Sequence, residues 1–163
     1  MLYQATRIFG PAGQGKVVQD NQMVGMNAVR LRGHYVLLLL LTVPAGLAWR
    51  MVPLGLSPFW FKYGGSALWA MALYWLIAVC LPGLSAAGLG CLAAAVAALV
   101  EFSRLWSVPA VDAFRLTLAG RLLLGRYFSL KNIAAYWLAV SLAALLDGWW
   151  VRRSGFRSEA KDS

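Results

Sequence analysis

Glu101, Arg104, Asp112, Arg115, Arg121 and Arg126 interrupt a stretch of sequence that is otherwise largely apolar. Glu101 and Arg104 stand three residues apart, so on a helix they share a face and can form an ion pair. Ionisable groups at membrane depth are costly to keep and mark functional sites by default. For Glu101 two readings stand: a structural pair with Arg104 or with an arginine of residues 107–132, or part of a ligand site. The same two readings apply to Asp112, Arg115, Arg121 and Arg126. From Arg104 to Lys131 there are five bases against one acid, Asp112, a balance that suits an anionic group. Trp69 and Tyr136 complete the candidate set. They and Tyr74, Trp75 and Trp137 also fit the role of interfacial belt and packing aromatics. Asp147, close to Arg152, reads as a solvated or paired residue at a span boundary.

Other chemistry is poorly supported. No HExxH or CxxC is present, Ser and His are not placed as nucleophile and base, and no catalytic motif emerges. Residues 10–16 (GPAGQGK) match the first seven positions of a phosphate-binding loop, but Val17 stands where a hydroxyl should hold magnesium and no strand precedes it. Nucleotide binding is therefore not expected. Cys80 and Cys91 lie in apolar blocks and read as unpaired packing residues; with only His34 beside them they make no metal site. No cofactor is expected, and the balance is against an enzyme.

The elements that must position these residues follow from hydropathy. Of the 163 residues, 61% are hydrophobic, well above the roughly 45–50% of soluble domains. Mean hydropathy is +0.65. The net charge of +9 sits in short clusters between apolar blocks, which favours anionic lipid headgroups over nucleic acid. Residues 1–33 form a polar, Gly-containing leader, in which Met26 stands close enough to the first apolar block to serve as an alternative start. Residues 34–152 form the membrane domain and 153–163 a polar, disordered tail.

Within that domain, blocks at 34–52, 67–84, 86–106 and 133–151 are each long enough to span, since ~19 residues at 1.5 Å give ~28 Å. Pro44 and Gly46 should kink the first, residues 53–66 form an aromatic interfacial loop, and Pro82-Gly83 closes a tight hairpin between the second and third. The Ala/Gly face of residues 86–98 permits close helix approach. Residues 107–132 carry too many charges to face lipid, where each would cost ~2.5–3.5 kcal/mol. They are expected to form one amphipathic or re-entrant helix. On a continuous helix Asp112, Arg115 and Arg126 would fall within ~60° of one another, with Arg121 pointing elsewhere and Gly120 and Gly125 as breaks. The fold class is thus an all-α membrane protein of four transmembrane helices plus that additional helix.

Four spans put both ends of the domain on one side. Basic residues barely discriminate between the sides, eight against seven, but Arg30, Arg32, Arg152 and Arg153 directly flank spans. That position favours cytoplasmic termini in a bacterial inner membrane.

Three segments carry a family resemblance: residues 62–70 (KYGGSALWA), 100–106 (VEFSRLW) and 124–136 (LGRYFSLKNIAAY). Together, over about residues 29–148, they resemble an uncharacterised bacterial membrane family, domain of unknown function 2809, and are loosely similar to the teicoplanin-resistance VanZ proteins. Glu101, Trp69 and Tyr136 match the family pattern. Acids common in the family are replaced by Ser66 and Asn132, and a common Gln by Arg104. The resemblance implies a membrane fold and location and brings no activity with it.

The leading functional expectation is a non-enzymatic protein. Glu101 and the Arg-rich segment would form a pocket at one membrane face for a lipid headgroup or anionic envelope precursor. Two alternatives stand: a structural subunit packing on another membrane protein or on itself, and a small transporter or oligomeric channel, for which the absence of an internal repeat leaves little basis.

Overall fold

The computed structural model describes residues 32–125 and 128–159, with side chains as far as Arg153. Arg126 and residues 1–31 of the expected leader lie outside the described residues, whereas residues 32 and 33 already belong to the first helix. The elements are α1 (Arg32–Met51), α2 (Pro58–Cys80), α3 (Ala86–Phe102), a 3-10 turn (Ser103–Leu105), α4 (Pro109–Leu116), α5 (Leu118–Leu123) and α6 (Leu130–Glu159). No strand occurs among the described residues. Four helical stretches are long and apolar enough to cross a membrane: Arg32–Met51, Pro58–Cys80, Ala86–Leu105 and Leu130–Arg153. The chain is an all-α, multi-pass membrane protein.

Local sequence sets the helix ends. Pro58 opens α2 at a position where its missing N–H costs nothing, and nine residues of the expected interfacial loop are helical as a result. Residues 81–85 make the tight hairpin, where the Ser85 hydroxyl caps α3 by accepting from the Gly88 N–H at 3.1 Å. At the C-terminal end α6 runs on to Glu159, so helix continues into the segment expected to be an irregular tail.

Three stripes of three- and four-residue spacing meet in the centre. Ser66, Ala70, Tyr74 and Ala78 of α2 are buried, as are Leu89, Ala93, Ala97 and Glu101 of α3. From α6 come Asn132, Tyr136, Val140, Ala143 and Asp147. Spacing of three or four keeps side chains on one helical face, and the alanines among them let the backbones approach. A Cβ on Gly90 of α3 would lie 3.3 Å from the Ala144 Cβ of α6, so this crossing is already close. Gly90, Ala93 and Ala97 of α3 are thus used inside the bundle, while Ala87 and Ala95 are exposed. Large apolar side chains such as Leu99, Leu138 and Leu145 point outward, as lipid-facing positions require.

Residues 107–132 form two short helices instead of one. Thr117 breaks the run: its hydroxyl caps α5 through the Gly120 N–H at 3.0 Å and also donates to the Phe114 carbonyl at 2.7 Å. Gly120 packs so tightly on the Phe114 carbonyl that a Cβ has no room. Gly125 ends α5 with φ +68, a conformation that favours glycine. Asp112 and Arg115 lie together on α4 and Arg121 on α5, and the expected place of Arg126 on the same face falls outside the described residues.

Candidate functional site

The buried stripe of α3 ends in a carboxylate. Glu101 has no solvent exposure and accepts four hydrogen bonds. Oε1 receives the Ser129 N–H at 2.8 Å and the Asn132 Nδ2 at 3.2 Å. Oε2 receives the Tyr136 hydroxyl at 2.9 Å and the Arg104 guanidinium, with which Glu101 forms an ion pair. A carboxylate offers about four acceptor positions, so this one is saturated by protein donors. Among the described residues, the buried Asn132 Oδ1 has no hydrogen-bond partner.

Arg104 joins three helices. Besides Glu101 of α3, it donates from Nε to the Leu124 carbonyl at the end of α5 and from Nη2 to the Tyr136 hydroxyl of α6 at 3.4 Å. Gly125 makes this reach possible, because a Cβ there would sit 2.7 Å from Arg104 Nη2. Trp69 of α2 packs against Tyr136 with ring centroids 5.3 Å apart. The expected residues Glu101, Arg104, Tyr136 and Trp69 therefore come together in one cluster.

Asp112 and Arg115 form a neighbouring pair at 2.9 Å. Arg115 is buried and reaches the end of the third span, donating to the Ser103 carbonyl at 2.8 Å and the Trp106 carbonyl at 3.3 Å. Carbonyls at a helix C-terminus lack partners within the helix and carry partial negative charge, which the guanidinium offsets. Its Nε, also buried, has no hydrogen-bond partner. The Ser107 hydroxyl, donating at 2.7 Å, and then Arg115 hold the Asp112 carboxyl below the usual carboxylate range. Arg121 is exposed and makes only a long contact, 3.4 Å, to the Thr117 carbonyl.

At the same end of the bundle lies a cavity of about 430 Å³, lined by α1, α2 and α5. Its walls include Leu39, Val43 and Leu47 of α1, Leu68, Trp69 and Leu76 of α2, and Ala119, Leu122 and Leu123 of α5. Among the described residues Arg50 is the one charged residue in this lining. Among the described residues Arg50 forms no salt bridge. Gly64 and Gly65 explain how α1 crosses α2 here. A Cβ on Gly64 would lie 2.5 Å from the Trp49 ring, and one on Gly65 would lie 3.0 Å from Arg50 Nε. Trp49 is fixed by donating to the Trp60 and Phe61 carbonyls, each at 3.3 Å.

A second buried carboxylate occupies the opposite end, and sequence reasoning missed it. Asp147 is 4% exposed and accepts from the Tyr74 hydroxyl at 2.7 Å and the Tyr35 hydroxyl at 3.1 Å. It is neither solvated nor, among the described residues, salt-bridged. The signal that could have found it is its spacing: Asp147 continues the Tyr136, Val140, Ala143 face of α6, which turns inward. Next to it His34 stacks on Trp150, with ring centroids 3.8 Å apart. The two carboxylates thus fasten α6 at both ends, one to α3 and the other to α1 and α2.

No curated protein and no solved structure matches the chain. A family described as "Protein of unknown function (DUF2809)" matches residues 56–139, just over half of the chain, a stretch that holds α2 to α5, the Glu101 cluster and the start of α6. With Glu101, Arg104, Trp69 and Tyr136 inside the matched segment, the chain belongs to the DUF2809 family.

Proposed function

We propose that the protein is a non-enzymatic bacterial inner-membrane protein that retains an anionic phospholipid, with one acyl chain in the groove between α1, α2 and α5 and the phosphate at Arg50. The observation that carries this reading is the groove itself: about 430 Å³ of apolar space whose lining, among the described residues, holds a single charge. Small-molecule sites are mostly apolar cavities of roughly 300–1,000 Å³ with few polar groups, so size and lining both fit.

The arginines that stand out in the sequence are less suited to this task than Arg50. Arg104 and Arg115 are committed to Glu101, Asp112 and backbone carbonyls. The partner-binding alternative rests on the small-residue face of α3, and Ala93 and Ala97 of that face are buried inside the bundle. Orientation follows the flanking charges: Arg32, Arg152 and Arg153 lie at the Asp147 end, which we place in the cytoplasm, so the groove opens near the opposite face.

Mass spectrometry of lipids retained by the purified full chain, reconstituted in nanodiscs of mixed phosphatidylglycerol and phosphatidylcholine, tests this. The wild type should enrich phosphatidylglycerol, and Arg50→Gln should abolish that preference. Equal retention of both lipids by the wild type, or an unchanged preference in Arg50→Gln, overturns the reading. Recovery of a lipid-linked envelope precursor in place of phospholipid also overturns it.

A further inference from the structure

Resting on that reading, we propose that α5 is the lid of the lipid groove and that Arg104 is its latch. What holds α5 in place decides this. The helix has only six residues, too few to be stable alone, so its position depends on its ends. Its N-terminal end turns on Thr117 and the tight packing of Gly120 against Phe114. Its C-terminal end is held by the Leu124 carbonyl, which accepts from Arg104. Between these anchors, Ala119, Leu122 and Leu123 face the groove.

Arg104 is itself fixed by Glu101, which Tyr136, Ser129 and Asn132 hold from the other side. The same cluster supports a second groove wall, because Trp69 lines the cavity and packs against Tyr136. A saturated carboxylate with no room for a ligand thereby acquires a role: it holds the arginine that keeps the lid down. Gly125 belongs to the same device, since its missing Cβ leaves the space the guanidinium occupies. Arg104 is therefore a positioning residue, remote from the lipid it retains.

The test combines hydrogen exchange with lipid retention on the full chain in phosphatidylglycerol nanodiscs. In Arg104→Gln the amides of Leu124 and Gly125, which bond to the Gly120 carbonyl, should exchange about tenfold faster, as loss of about 1.4 kcal/mol of local stability gives. Phosphatidylglycerol should be lost from the protein about tenfold faster as well, while exchange in α2, α3 and α6 stays as in the wild type. Arg104→Lys, which keeps the charge and loses the planar fork, should fall between the two. If Arg104→Gln loosens the whole bundle, Arg104→Lys gives the reading, because it keeps the charge beside Glu101 and loses the fork that reaches the Leu124 carbonyl. Faster exchange in α5 with unchanged lipid loss overturns the lid and leaves the lipid reading intact, and so does unchanged exchange. A wild type that retains no phosphatidylglycerol overturns both.

Discussion

Removing the Glu101 carboxylate leaves a guanidinium and three further donors facing an apolar core. Breaking a buried pair by deleting one partner costs about 3–5 kcal/mol, because the remaining charge is left uncompensated. Glu101→Ala should destabilise the protein by that amount in denaturant unfolding from detergent micelles. Glu101→Gln keeps the shape and two acceptor positions and should lose less than half as much. Equal losses would mean that packing volume, and not hydrogen bonding, is what Glu101 contributes. Spacing makes Arg104 one candidate partner of Glu101 beside the arginines of residues 107–132, and the sequence also brings forward Trp69 and Tyr136. It does not show that Ser129 and Asn132 fill the other carboxylate oxygen, because those contacts depend on how the loop before α6 returns to the end of α3. Asp147 escapes a sequence reading for a related reason. Proximity to Arg152 in the chain suggests a solvated pair, whereas the helical face that Asp147 continues carries it inward to Tyr35 and Tyr74.

At the scale of elements, hydropathy locates all four spans, with ends displaced by as much as nine residues where Pro58 starts a helix earlier than apolar content suggests. The charged segment is recognisable as unfit for lipid exposure, but its division into α4 and α5 depends on contacts that composition does not display. Gly120 reads in the sequence as a helix break, and its actual role is steric: it lets the start of α5 pack on the Phe114 carbonyl. Gly120→Ala should therefore spread α4 from α5. Because backbone atoms, and not a flexible side chain, meet the new methyl, the loss should exceed the ~1 kcal/mol that an alanine normally adds in a helix, and with opposite sign. Thermal unfolding checks this; a variant as stable as the wild type would show that the corner is not rigid.

Across the whole molecule, two buried carboxylates near opposite ends tie α6 to the other three spans, and Arg50, which has no salt bridge among the described residues, lines the apolar groove. That division separates the charges that hold the fold from the one proposed to meet a ligand. A high-resolution map of the protein in nanodiscs made from bacterial lipids tests it most directly. The account predicts a continuous tube of density between α1 and α2 beneath α5, ending in a phosphate-sized feature at Arg50. A groove filled by side chains of α5, or density whose head lies away from Arg50, would contradict it.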